Sequence, residues 1–390
     1  MKNKLLKVFL VTICLLSFFS CVCWADPQHE PPKVKYEKAK IIEAEKIELD
    51  DPTGTQFKEI HQQVTLKILS GKLRGKTVTL DHIASGGMVG QNLKLKNGDK
   101  VIVYVEEKPT RAESPDGSPL IHINGYARSS PLLWLAVIYG LILVVIGGKK
   151  GLRSLVSLAL TIAIIFFVLF PLTLRGFNPL LVSIAISGVI SLLTFRIIGG
   201  RTTKALSAAI GTLIGVAIAG ILATVIGKMI HLSGLSSEES MILLYSMDLK
   251  IDFQGLLFSG ILIGALGAVM DVGMSIASAI DEVRKVHPEA NFTNLFQAGM
   301  NVGRDIMGTM SNTLILAYTG SALPLLLLFI ADNMSFTKII NMELVAEEIA
   351  RALAGSIGLV LCIPATALVA AAMYARNSQS HSFPKEWLKK

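Results

Sequence analysis

A carboxylate lies inside one of the most apolar stretches of this chain. The segment GALGAVMDVGMSIASAIDEV runs from Gly264 to Val283 and places Asp271 among small and aliphatic residues. A charged side chain at the centre of a bilayer costs at least ~2.5–3.5 kcal/mol on insertion scales, so such residues face protein or water and mark ion or proton pathways. Asp271 precedes Asp281 by ten residues, about 15 Å along a helix. If Asp281 marks the end of the span, Asp271 is predicted near mid-membrane.

Helical spacing places Asp271 on a narrow stripe of small and polar residues. Residues three or four apart share one face of a helix, and this stripe comprises Gly260, Gly264, Gly267, Asp271, Ser275, Ser278 and Glu282. Glycines at this spacing are more typical of a packing seam, because small residues let a neighbouring backbone approach closely. The acid within the stripe favours a functional interpretation, as a group able to take up and release a proton.

The next predicted helix supplies a candidate partner face. In QAGMNVGRDIMGTMSNTLILAY, the polar residues Asn301, Asp305, Thr309 and Asn312 share one face. The two helices are consecutive and antiparallel, so we expect the two polar faces to meet. Asn312 has both donors and an acceptor and can bond Asp271 in either protonation state; a plain hydrogen bond between helices is the alternative. The candidate relay comprises Asp271, Ser275, Asn312, Thr309 and Asp305.

Seven apolar segments of membrane-spanning length position these residues. A helix needs about 20 apolar residues to cross ~30 Å of hydrocarbon, and the chain is 52% hydrophobic and only 17% charged. Loops on the predicted inner side hold 13 Lys and Arg and those on the outer side hold five, as the positive-inside rule requires. The cytoplasmic tail is predicted over 377–390. The transmembrane domain is predicted over 131–376, with spans at 131–148, 154–174, 179–198, 204–228, 255–280, 308–330 and 352–374.

The first 25 residues have the pattern of a signal peptide. Lys2, Lys4 and Lys7 precede an apolar run, and CWA before Asp26 offers a small-residue cleavage site. The alternative is that the segment is retained as an anchor. Three of the four cysteines lie within it, which leaves Cys362, so we expect no internal disulfide in the mature chain.

Residues 26–130 are predicted to form a small extracytoplasmic β domain. QQVTLKILSGKLRGKTVTLDHI reads as two strands and a turn, LKLKNGDKVIVYVEE contains the hairpin signal Asn97-Gly98, and SPLIHINGYAR adds a short strand. Four or five short strands favour a β-barrel or sandwich, with an OB-like fold as the nearest match. The region holds 16 Lys and Arg against 15 Asp and Glu, so we expect no nucleic-acid partner.

Two further observations bear on function. The sequence contains no Walker A, HExxH or GxSxG motif and no cluster with metal-ligand spacing, so we expect no enzymatic activity, cofactor or metal, and membrane lipid as the surroundings. The amphipathic stretch 336–353 is compatible with an interfacial helix on the outer surface or with a solvated helix.

The block from Asp271 to Tyr318 resembles the YibE/F family of multispanning bacterial membrane proteins. GFNPLLVSIAISGVISL and LKNGDKVIVYV carry further similarity. The resemblance implies a multi-pass protein of the bacterial cell membrane. The signal segment and the positive-inside count predict that the N-terminal domain lies outside and the C-terminus is cytoplasmic. The resemblance also implies a second YibE/F-type membrane subunit as a partner, with a homo-oligomer as the alternative.

A more distant likeness is to the SecD/SecF and RND group. Gly267 with Asp271, and Asn312 with Thr313, match the group's pattern of a mid-membrane Asp and an Asn-Thr pair on the next helix. In that group the acid couples proton flow to movement of an outer domain. This chain departs in its span count and in placing the outer domain before all spans.

Two functions are therefore expected. The first is an ion-coupled transporter or permease in which Asp271 is the protonatable relay. The second is a non-enzymatic accessory of membrane assembly or protein translocation, whose β domain contacts exported polypeptide.

Overall fold

The computed structural model describes residues 34–47, 60–84, 94–106, 119–245 and 251–379. Two compact units make up this chain, divided between Ile142 and Leu143. The predicted signal peptide over 1–25 and the end of the predicted tail lie outside the described residues.

The first unit contains a five-stranded antiparallel sheet. Its strands are β1 (Val34–Ile47), β2 (Ile60–Ile68), β3 (Thr77–Ala84), β4 (Lys100–Glu106) and β5 (Leu120–Tyr126), in the order β3-β2-β1-β4-β5. The edge strands β3 and β5 approach each other, so the sheet curves into a half-barrel. This confirms the predicted β domain and is compatible with its OB-like interpretation.

Alternate residues of the strands form the core of the half-barrel. Ile41, Val64, Leu66, Val101 and Val103 are at most 1% exposed, as expected where one face of a sheet is buried. Their period of two fixes the register, because a slip by one residue would turn this apolar set outward.

The described residues before Asn97-Gly98 do not form the first strand of a hairpin. Asn97 and Gly98 form the predicted turn, with Gly98 at φ +93°, but residues 94–96 before them are not in a strand. Instead, the Gln62 side chain holds the backbone of Leu95 by two hydrogen bonds, donating to its carbonyl at 3.0 Å and accepting from its N–H at 2.9 Å. The side-chain amide thus replaces a strand partner.

The second unit is helical. In chain order its helices are α1 (Ser129–Ile164, shared with the first unit), a π-helical turn (Ile165–Leu169), α2 (Phe170–Leu174), α3 (Pro179–Gly199), α4 (Thr203–Met229), α5 (Glu238–Tyr245), α6 (Phe253–Val286), α7 (Phe292–Ser321), α8 (Leu323–Ala331), α9 (Phe336–Ile340) and α10 (Glu343–Gln379).

Five helical stretches in the described residues are long and apolar enough to cross a membrane. They are Ser129–Leu174, α3, α4, α6 and Glu343–Arg376, and a sixth is formed if α7 and α8 count together. The predicted number of seven is therefore not exact. The predicted spans 131–148 and 154–174 share one helical stretch, in which Gly148 has non-helical angles of φ +51° and ψ −130°. The predicted span 308–330 crosses a bend of 59° between α7 and α8.

Side-chain caps begin four of the long helices. Asn178, Thr202, Asp252 and Asn291 each accept a hydrogen bond from the backbone N–H three residues ahead, at 2.8–3.2 Å. These caps satisfy donors that an unpaired helix end leaves open. The sequence thus marks where α3, α4, α6 and α7 start.

The bundle is held together by close contact between α4 and α10. A Cβ added at Gly215 would lie 2.8 Å from the Cβ of Cys362 and 2.9 Å from the carbonyl oxygen of Gly358, and Gly211 lies directly against Thr366. Small residues allow this approach, so Gly211 and Gly215 form a packing seam between helices.

Candidate functional site

Helix α6 carries Asp271 near its middle. The opposite face of α6 forms the centre of the bundle, where Ile261, Leu262, Val269, Val272 and Ile276 are fully buried. Asp271 itself is exposed on the single chain. The apolar core therefore fixes the rotation of α6 and directs the acid away from the packed interior.

The predicted stripe follows Asp271 along that outward face. Gly260, Gly264, Gly267 and Ser275 are all exposed. A Cβ added at Gly260 or Gly267 would meet no atom within 4 Å. No described residue therefore covers Gly260 or Gly267, in contrast to the closed seam between α4 and α10.

Helix α7 borders this stripe at Gly264. The hydroxyl of Tyr318 would lie 2.5 Å from a Cβ added at Gly264, so the glycine gives the phenol its space. Tyr318 and Leu314 belong to the packed side of α7.

The predicted polar face of α7 is turned outward as well. Asn301, Asp305, Thr309 and Asn312 are exposed. Thr309 donates to the Ile306 carbonyl at 2.9 Å, a bond within its own helix. The exposed residues of both helices are called the polar surface below: Gly260, Gly264, Gly267, Asp271 and Ser275 of α6, and Asn301, Asp305, Thr309 and Asn312 of α7.

The structure brings α6 and α7 together but not Asp271 and Asn312. The two helices pack against each other and against α10. Within the described part of the chain, however, no hydrogen bond joins Asp271 to Asn312. The prediction that the polar faces of α6 and α7 meet inside one chain is therefore wrong for the described residues. Apolar residues occupy the contact between these helices.

A buried ionic cluster was missed by the sequence analysis. Glu347 of α10 accepts from the Ser236 hydroxyl and pairs with Arg351, whose Nη2 lies 2.7 Å from its Oε1. Arg351 also reaches Glu348, with Nη1 to Oε1 at 3.3 Å. Glu347 is only 8% exposed.

This cluster corrects the interpretation of residues 336–353 as an interfacial or solvated helix. Residues 343–353 are the first turns of the long helix α10, and α9 is a separate five-residue helix before it. The i, i+4 spacing of Glu347 and Arg351 is the sequence pattern of an ion pair on a helix. Spacing alone does not predict that this pair is buried.

The C-terminal end of α6 contacts α10. The hydroxyl of Tyr374 donates to Asp281 at 2.6 Å, and Lys285 lies 2.9 Å from the same carboxylate. The Asp281 side chain is 18% exposed. The sequence analysis treated this acid as a span boundary, and the structure gives it a partner on another helix.

Acceptors for a metal do not cluster in the described residues. No group of three or more His, Cys, Asp or Glu side chains there is arranged to hold a metal ion. The described bundle has ion pairs near helix ends, and two acids, Asp271 and Asp305, lie on the polar surface.

The apolar helices and the half-barrel define a multi-pass membrane protein with an N-terminal β unit. A family model described as YibE/F-like protein matches residues 135–376, and one described as YibE/F family N-terminal domain matches residues 33–114. The chain therefore belongs to the YibE/F family, as its sequence predicted. The family matches do not show the likeness to the SecD/SecF and RND group. No curated protein and no solved structure matched the chain.

Proposed function

We propose that this protein is an ion-coupled transporter in which Asp271 carries the proton. One observation carries the proposal: a carboxylate lies near the middle of the 34-residue apolar helix α6, outside its packed face. An acid without a function at this position would lower stability with no compensating interaction among the described residues, because ionisable groups within spans are costly. Transport then requires reversible protonation of Asp271 and no covalent change in the transported solute.

The neighbours of Asp271 have supporting roles in this proposal. Ser275 lies one turn further along the same stripe, where its hydroxyl can accept or donate a hydrogen bond. Thr309 and Asn312 supply further polar groups, and Asp305 stands further along α7, towards its Phe292 end. These side chains line the route by which protons reach and leave Asp271.

Reconstitution tests the proposal. Purified protein in vesicles loaded with a pH-sensitive dye is expected to carry a proton flux under an imposed pH gradient. Asp271→Asn removes the titratable group at nearly constant size and should abolish that flux. A flux equal to that of the unmodified protein would reject Asp271 as the relay.

Glu282→Gln provides the matched control. Glu282 is an exposed acid on the same helix and pairs with Lys285 at 2.7 Å. Its neutralisation should leave the flux unchanged. An equal loss in both variants would point to general damage of α6.

A second candidate function is contact with exported polypeptide through the β unit. Tyr36, Tyr104 and His122 are opposite one another across β1, β4 and β5, and the Tyr104 and His122 rings stack at 4.8 Å. Tyr36 is 66% exposed, and exposed aromatic rows favour peptide contact. A photo-crosslinking residue at Tyr36 should capture secreted chains in cells; labelling no stronger than at exposed Lys67 would reject this function.

A further inference from the structure

We propose that the polar surface is covered by a second copy of this chain, and that Asp271 finds its hydrogen-bond donors on α7 of that copy. The part that concerns Asp271 rests on the proposed transport function. The interface itself rests on the exposure of the polar surface and is tested separately.

Lipid is a poor cover for the polar surface. Asp271 lies on the exposed side of a membrane-length helix, and a carboxylate facing hydrocarbon is costly. The helix cannot rotate to hide it, because Leu262, Val269 and Ile276 on its opposite side are fully buried in the bundle. Protein or protein-bound water must therefore cover this face.

Helix α7 leads to the same conclusion independently. It is long and apolar enough to cross a membrane only together with the apolar α8. Its buried residues Leu295, Gly299, Gly303 and Leu314 form one face, and its amides and hydroxyls occupy the other. A helix with one polar face inside a membrane protein is normally covered on that face.

The glycines of the polar surface have room for another backbone. Gly215 in the seam between α4 and α10 has neighbouring atoms at 2.8–3.1 Å from an added Cβ. Gly260 and Gly267 of the polar surface, and Gly308 beside it on α7, have no described atom within 4 Å of an added Cβ. Gly264 is the exception, because it is in contact with Tyr318. Among the described residues there is thus one covered glycine seam and one uncovered row of glycines, and the uncovered row lies beside the acid.

Complementary chemistry selects a second copy as the occupant. The stripe of α6 offers the acceptor Asp271, whereas α7 offers the two N–H donors of Asn312. In a two-fold pair, the same surface patch is used by both copies. Placing α6 of each copy against α7 of the other joins acceptor to donor twice. The site at Asp271 is incomplete until that copy is present.

Cysteine crosslinking in membranes tests the interface. In a chain whose four native cysteines are replaced, Gly267→Cys is introduced into one tagged copy and Gly308→Cys into a copy with a different tag. Both positions accept a side chain. A flexible bismaleimide should join the two tags, because the two thiols lie several residues apart in depth and a direct disulfide needs closer Cα atoms. Ile221→Cys is the control, because Ile221 is 61% exposed on the apolar face of α4 and should not crosslink.

Three crosslinking outcomes would contradict the proposed interface. Absence of a species carrying both tags, in membranes where both copies are present and stable, overturns the proposal. A crosslink only to a different protein, or one formed equally at Ile221→Cys, does the same.

Mixed copies test the shared site. Asp271→Asn and Asn312→Leu should each abolish flux alone. Expressed together in equal amounts, they should restore about a quarter of the wild-type flux per chain, since half of random two-fold pairs contain both variants and each such pair keeps one intact site of two. If both residues acted within one chain, no site would be intact and no flux would return.

The two proposals fail separately. Crosslinking without any flux dependent on Asp271 retains the interface and rejects the transport function. Flux that Asp271→Asn abolishes, without crosslinking and without restoration in mixed copies, retains the transport function and rejects the shared site.

Discussion

Asp271 and Glu347 illustrate two opposite placements of an acid in the same bundle. Asp271 has an exposed side chain and no ion-pair partner among the described residues, whereas Glu347 is buried and paired with Arg351. Breaking a buried pair by removing one partner is strongly destabilising because it leaves an uncompensated charge. The first acid is therefore available for function, and the second contributes to structure.

Glu347→Ala should lower the stability of the bundle by about 1–3 kcal/mol, because Arg351 loses its partner at 2.7 Å and keeps the longer contact with Glu348 at 3.3 Å. The thermal unfolding midpoint of purified protein in detergent measures this loss. Glu239→Ala on the exposed side of α5 is the control and should have little effect. The double variant Glu347→Leu with Arg351→Met should recover much of the loss; equal midpoints for Glu347→Ala and the unmodified chain would contradict the pairing.

At the scale of the elements, sequence predicted apolar length far better than it predicted breaks and directions. The predicted spans 179–198, 204–228 and 255–280 correspond to α3, α4 and α6, because twenty apolar residues leave few alternatives. The predicted end of the first span at 148 coincides with the break at Gly148. The predicted span 308–330 runs across the bend between α7 and α8, because a proline in an apolar run is compatible with a continuous helix.

The sequence also did not predict which way the polar faces of α6 and α7 are turned in the bundle. The stripe around Asp271 was recognised from its spacing, but spacing does not say which neighbour covers it. Strand β1 was missed for a related reason: its buried side includes Glu37 and Ala39, so the alternation typical of a half-buried strand is weak in VKYEKAKI.

Gly215→Ala should destabilise the bundle by about 1–3 kcal/mol, because the new methyl group would meet the backbone of Gly358 and force α4 and α10 apart. Gly260→Ala, in open space, should leave the single chain as stable as before. Unfolding of both variants in detergent makes the comparison. If the two substitutions had the same effect, the difference between covered and uncovered glycines would have no energetic meaning.

Asp252→Ala should cost about 1 kcal/mol, since it removes the cap that accepts from the Gly255 N–H at 2.8 Å. Asp252→Asn retains an acceptor and should cost less. Hydrogen exchange of the first turn of α6 reports the change locally. Unchanged exchange in Asp252→Ala would show that the cap does not hold this helix end.

On the scale of the whole molecule, the two units have separate hydrophobic cores. Val64, Leu66 and Val103 belong to the half-barrel, and Val216, Val269 and Leu359 belong to the bundle. No residue is shared between these clusters. Stability should therefore be largely a property of each unit.

Val103→Ala should weaken the half-barrel by about 2 kcal/mol, because it removes two buried methyl groups. Hydrogen exchange should increase across β1, β4 and β5 and stay the same in α4 and α6. Faster exchange spread equally over both units would show that they unfold together.

The length of α10 sets a relation between the protein and its lipid. At 37 residues it measures about 55 Å, against ~30 Å of hydrocarbon. Either α10 is strongly tilted or its ends extend into the headgroup region. The acyl-chain length of the lipid changes the balance between these two arrangements at a modest free-energy cost per ångström. Because Glu347 and Tyr374 anchor this helix near its two ends, bilayers of different thickness would strain those anchors unequally.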